Sequence, residues 1–229
     1  MPKIYLSPAA HGRDNPCGYD SACGENIHCT LYMDELEPYL LACGFAVRRN
    51  PKDRTGDRLK EAIAESNAWG ADLHYVAHTN AGGGAYSLLM VYDQGTAYGY
   101  AEKLAARRRE IYAGNVKISV QPQWDELRLT AAPAVYDEMV FHDNAKDIAW
   151  FHEHLREMAE ATAKAICDMF GAAFVDPYAK PAEPAPEPES GGDVWYRVQV
   201  GAFREKANAD RLCAELQGKG YAAFVKAGA

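Results

Sequence analysis

The chain has 229 residues, enough for one domain of ordinary size and a small extra module. Its 24 basic residues stand against 32 acidic ones, a net charge of −8, which argues against binding nucleic acid by phosphate neutralisation and against attraction to an anionic membrane. No apolar run approaches the ~20 residues that span a bilayer, and MPKIYLSP lacks the basic stretch and long apolar core of a secretory signal. The expectation is synthesis in the cytoplasm, with any substrate outside it reached after the cell is breached.

In chain order, KIYLSP reads as a short strand that leads to His11. A glycine-bearing loop follows, then ENIHCTLYMDELEPYLLACGF, whose apolar residues at 27, 31, 36, 40 and 41 have helical spacing and which stops at Gly44. AVRRN reads as a strand and DRLKEAIAESNAWG as a helix closing on Gly70. DLHYVAH and YSLLMVYD are strands; GTAYGYAEKLAARRREIYAG is a helix with Arg107 to Arg109 expected on its wet face. AVYDEMVF is a strand, and residues 143–171 form one long helical stretch or two helices. Strands alternating with helices predict an α/β fold with a largely parallel sheet, and such sheets gather ligands at the carboxyl ends of their strands.

Those strand ends carry His11, His78 and Glu138, and Glu25 opens a helix that points back at them. Two histidines and a carboxylate, His11, Glu25 and His78, are a known donor set for catalytic zinc, which keeps a position open for water. Zinc brings the pKa of that water to ~7. Glu138 is placed to take the water's proton and pass it to a leaving amine. The spacing alone is unspecific, since there is no HExxH. His28, three residues after Glu25, is the rival ligand. His74 lies four before His78, which in a strand is ~13 Å away, so it is not expected to share the ion. His152 and His154 read as surface residues. The three glycines after Asn80 lack the Lys-Ser or Lys-Thr of a phosphate loop and read as a lip over the cleft.

The six cysteines stand at 17, 23, 29, 43, 167 and 213 without a CxxC pair. Reduced, partly buried thiols are the plain reading; a Cys17–Cys23 bridge pinning the loop is the alternative.

IYLSPAAHG, GENIH, DLHYVAHTNA and PAVYDEMVFHDN, in that order, resemble the zinc-dependent N-acetylmuramoyl-L-alanine amidases of bacterial cell-wall metabolism and phage lysins. The resemblance covers about residues 1 to 175. It implies a three-layer αβα catalytic domain over residues 1–178, a Zn2+ cofactor held by His11, Glu25 and His78, and Glu138 as the catalytic carboxylate. It implies peptidoglycan as substrate and cleavage of the amide between N-acetylmuramic acid and L-alanine of the stem peptide. Asn80 is a candidate for binding the peptide, or else caps a turn. Departures are Val140, where the family has glycine, and a first loop with Arg13, Pro16 and three nearby cysteines.

The segment 179–193, AKPAEPAPEPESGGD, reads as an extended spacer. Beyond it, residues 194–229 read as strand, helix, strand, the helix carrying Ala209, Leu212, Cys213 and Leu216 on one face. This tail resembles one β-α-β half of a sporulation-related (SPOR) wall-binding domain, which normally has two. A core of ~36 residues is below the ~40 that fold unaided, so two tails pairing into a homodimer is one expectation and a frayed or truncated tail is the other. A zinc peptidase or esterase on the same scaffold is the alternative activity. A phage endolysin and a sporulation autolysin are the two settings this combination suits.

Overall fold

The computed structural model describes residues 1–10, 15–17, 23–50, 58–179 and 198–226. The chain divides into two compact units, Met1–Lys180 and Pro181–Ala229.

The first unit runs β1 (Lys3–Pro8), α1 (Glu25–Ala42), β2 (Ala46–Arg49), α2 (Leu59–Trp69), β3 (Leu73–Asn80), β4 (Tyr86–Val91), α3 (Thr96–Ile111), β5 (Asn115–Val120), α4 (Asp125–Arg128), β6 (Ala134–Phe141), α5 (Ala145–Glu153) and α6 (Leu155–Phe170). Glycines at positive φ end three helices: Gly44 (84°) after α1, Gly70 (68°) after α2 and Gly171 (64°) after α6. The long helical stretch is two helices. Asn144 caps the first through the N–H groups of Lys146 and Asp147, and the helical path breaks at His154. Two elements left no sequence signal. β5 has only one buried residue, Val116, and α4, at four residues, is too short for a period.

The six strands form one sheet in the order β2-β1-β3-β6-β4-β5. All neighbours are parallel except β4 and β6, so the expected parallel sheet is confirmed for its larger part. Strand alternation sorts the side chains between two faces. Ile4, Leu6, Tyr75, Val135 and Met139 enter the main core with residues of α1, α3 and α6. Tyr5 and Ser7 reach the other way, to Glu65 of α2 and Glu126 of α4. Val76 and Tyr136 pack with Leu127 of α4 in a second, smaller cluster. This is the expected three-layer arrangement.

One expectation fails inside the core. Arg108, expected on the wet face with its neighbours, is only 2% exposed. Its guanidinium grips Asp137 with two bonds, at 3.1 and 2.6 Å, and donates to Ser87 Oγ at 2.7 Å. Tyr75 donates to the same carboxylate at 2.6 Å, and Tyr32 links Tyr75 to Thr162. Asp137 faces the helical layer because Glu138, its neighbour, faces the other. A buried carboxylate needs a paired cation, and that drew Arg108 inward.

The second unit contains α7 (Lys206–Gly218), the expected tail helix. Described residues 198–203 and 221–226 form no strand, and residues 194–197 of the first expected strand lie outside the described residues. A strand needs a hydrogen-bonded neighbour, and half a sheet offers too few. None of α7's residues is buried. Trp195, Tyr196, Arg197 and nearly all of the spacer lie outside the described residues.

Candidate active site

The register of β3 and β6 places His78 directly beside Glu138, both on the face shared with Val76 and Tyr136. Each of the two is 9% exposed. Glu25 is brought to them by the loop that precedes α1. Pro16 and Gly24 pair antiparallel, Glu25 N–H bonds Asn15 O at 3.0 Å, and a Cys17–Cys23 disulfide closes the turn. The bridged alternative therefore holds for this cysteine pair; Cys43, Cys167 and Cys213 are free thiols.

The Glu25 carboxylate is almost fully buried. Its Oε1 lies 2.8 Å from His78 Nδ1 and accepts Thr79 N–H at 3.2 Å, while Oε2 accepts Asn15 Nδ2 at 2.6 Å. A carboxylate at the first turn of α1 also gains from the helix dipole. His11 lies outside the described residues. The described chain leads towards it, since Ala9 N–H bonds the carbonyl of Ala77, the residue before His78. Of the four residues singled out, three are thus brought together.

The other histidines separate cleanly. His74 is fully buried, with Nε2 at 3.0 Å from Glu126 Oε1 and its ring stacked on Tyr5. It is a strut between β3 and α4. His28 turns towards Cys17 and Cys23. Asn80 Oδ1 accepts the N–H of Ala81, the turn-capping role. The glycine run is tied down: Asp143 accepts Gly82 and Gly83 N–H at 2.7–3.1 Å, and Asn144 Nδ2 donates to Gly84 O. Burial works to raise the Asp143 pKa, but these amide donors outweigh it and hold the group below the ordinary value.

Two site residues escaped the sequence. The Tyr136 ring stacks on His78 with centroids 4.4 Å apart, and Trp124 meets Tyr136 edge-on at 5.0 Å. Burial, then the nearby charge of Glu138, pushes the Tyr136 pKa far above its ordinary value, so the phenol stays protonated. Tyr136 was findable, because it shares a strand face with Glu138 at a spacing of two. Trp124 sits in a connection and had no signal.

The donor types suit zinc: an imidazole nitrogen and a carboxylate oxygen face each other across 2.8 Å, both nearly dry, with an acidic side chain beside them.

The fold is that of the N-acetylmuramoyl-L-alanine amidase catalytic domain. The amidase AmiC2 of Nostoc punctiforme superimposes with a TM-score of 0.66 at 15% identity, over 74% of this chain and 97% of that one. In sequence, the amidase CwlM of Bacillus licheniformis is 30% identical over 75% of this chain, which spans 64% of that relative's length. The sporulation-specific N-acetylmuramoyl-L-alanine amidase of Bacillus subtilis is 28% identical over 98% of this chain and 84% of its own length. The SPOR domain family matches residues 160–227. The chain is therefore similar to these amidases in sequence and fold, with a SPOR match at its C-terminal end. That match starts inside α6, well before the tail expected from the sequence.

Proposed function

We propose that the chain is a zinc-dependent peptidoglycan hydrolase that cleaves the amide between N-acetylmuramic acid and L-alanine of the stem peptide. The observation that carries this reading is the pairing of His78 with Glu138 across β3 and β6, with Glu25 at 2.8 Å from His78. His11, Glu25 and His78 would hold the ion. Zinc bound there supplies Lewis-acid polarisation of the scissile carbonyl and a water of pKa ~7.

The chain's own residues do the rest. Thr79 N–H and Asn15 fix the Glu25 carboxylate, and Tyr136 holds the His78 ring flat. Glu138 takes the proton of the attacking water and returns it to the alanine nitrogen as the amide breaks. Trp124, 37% exposed above Tyr136, offers an aromatic face to the glycan or peptide. Asn80, whose Oδ1 is used in its turn, keeps an NH2 group as a donor to the stem peptide.

The tail would carry the enzyme to glycan strands, in keeping with the SPOR match. Val198, Val200, Phe203, Tyr221 and Phe224 are exposed in the tail, and a second tail would cover them, giving a homodimer. Light scattering of the full chain and of residues 1–178 checks this; two monomers would refute it. The setting we favour is wall lysis in sporulation, supported by the Bacillus subtilis relative, with the enzyme freed when the mother cell lyses.

The deciding experiment strips the protein with a chelator, restores zinc stepwise, and identifies the ends released from purified peptidoglycan by mass spectrometry. Stem peptides with free L-alanine amino termini, appearing only with zinc, are expected. Cut cross-links would instead mean a peptidase on this scaffold. Activity indifferent to zinc would overturn the metal site.

A further inference from the structure

Beside the amidase site lies a second set of metal-competent side chains that the reaction does not use. Cys17, Cys23 and His28 are all buried, and their donor atoms lie within 4.8 Å of one another. His28, on the first turn of α1, is 1% exposed. Its Nε2 sits 3.0 Å from Cys23 Sγ and 3.5 Å from Cys17 Sγ. Its Nδ1 has no hydrogen-bond partner among the described residues.

That is a poor environment for an imidazole facing a disulfide. Sulfur is a weak acceptor, and a buried ring with one nitrogen on sulfur and the other unmatched is under-satisfied. The same geometry suits a cation. Tetrahedral zinc, with bonds of ~2.3 Å to sulfur and ~2.1 Å to nitrogen, sets neighbouring donors about 3.5–3.8 Å apart. The 3.5 Å from Nε2 to Cys17 Sγ already matches this; the 3.0 Å to Cys23 Sγ must lengthen by about half an ångström, and the two sulfurs must part. Burial, then the charges of His152 and His142, lowers the His28 pKa to about 4, so the ring is neutral, the form that binds metal.

We propose that, with Cys17 and Cys23 reduced, the chain binds a second zinc-class divalent cation through these two thiolates and His28. The fourth position is left to water, next to His152, whose ring lies 4.9 Å from that of His28. The disulfide and the ion are alternative occupants of one pair of sulfurs. Reduction by a phosphine consumes one water, yields two thiols and forms the phosphine oxide. The cation then displaces both thiol protons to the buffer. Either occupant closes the turn between Asn15 and Gly24, and so holds Glu25 in place.

Cobalt(II) tests this on the full-length chain without reference to turnover. Thiolate ligation gives a strong near-ultraviolet charge-transfer band, which nitrogen and oxygen donors do not. Metal-stripped protein is titrated with Co2+ with and without the phosphine. The reduced chain should bind two ions and show the band; the oxidised chain should bind one and lack it. His78→Ala should lose one ion and keep the band, whereas Cys17→Ser should lose one ion together with the band. A reduced wild-type chain without the band would overturn the proposal, and this needs no variant to fold. A band that survives in Cys17→Ser would overturn it too, because other thiols would be the ligands. Loss of the bandless ion alone would count against the amidase site and leave this one standing.

Discussion

Helices α6 and α7 look alike in the sequence and behave oppositely in the structure. Both place apolar side chains at helical spacing over similar lengths. α6 buries Met158, Ala159, Ala163, Ile166 and their neighbours in the first unit, whereas α7 buries none of its residues. Amphipathic spacing reports that a helix has a face to cover; it does not report that a cover exists. The first unit covers its faces with its own sheet. The tail unit, with no paired strand among its described residues, does not.

The comparison can be tested from both sides. The largest effect should come from the first unit's chemistry: Glu138→Ala should lower turnover by ~10³-fold, within the usual span for a general acid–base residue, while zinc content by metal analysis stays unchanged. Full activity would remove Glu138 from its role. Next is the first unit's core. Arg108→Leu strands the buried Asp137 carboxylate and should cost about 3–5 kcal/mol, roughly 10 °C in the thermal midpoint, with Arg108→Met/Asp137→Leu recovering most of it.

A pH effect of similar kind follows from His28. Its folded pKa of about 4 lies below the ordinary 6.5, so below pH 6.5 the unfolded chain binds the extra proton. The stability contribution is complete above pH 6.5 and is lost as the pH falls towards 4, a loss on the order of 3 kcal/mol. Oxidised wild-type protein should therefore lose more thermal stability between pH 7 and pH 4 than oxidised His28→Asn. Parallel curves for the two would contradict the assignment. Asp143→Asn should act more gently, loosening the turn at Gly82 and Gly83 and speeding amide exchange there without changing the global midpoint. The smallest effect should be removal of the tail: residues 1–178 should melt within a degree or two of the full chain, because α7 contributes no buried residue. A drop of several degrees would mean the tail is packed after all.

The legible part of the fold was the part written as period. Strands β1, β3, β4 and β6, and helices α1, α2, α3, α5 and α6, carried apolar repeats and glycine stops that survive in the structure. β5 and α4 were missed because one is largely exposed and the other has barely one turn. The proximity of Glu25, His78 and Glu138 was legible because motifs marked strand ends and a helix start. That of Trp124, which arrives from a connection, was not.

The sequence by itself determined the alternation of strands and helices, the net negative charge, and the resemblance that named a donor set. Only the tertiary structure decided which side of each strand meets which layer. Arg108 looked wet because charge and spacing in a helix describe solvent by default; Asp137, distant in sequence, turned it inward. The disulfide, the approach of His28 to two sulfurs, and the stacking of Tyr136 on His78 were decided there as well. Each depends on a distance between segments far apart in the chain or on the path of a loop. Local periodicity carries neither.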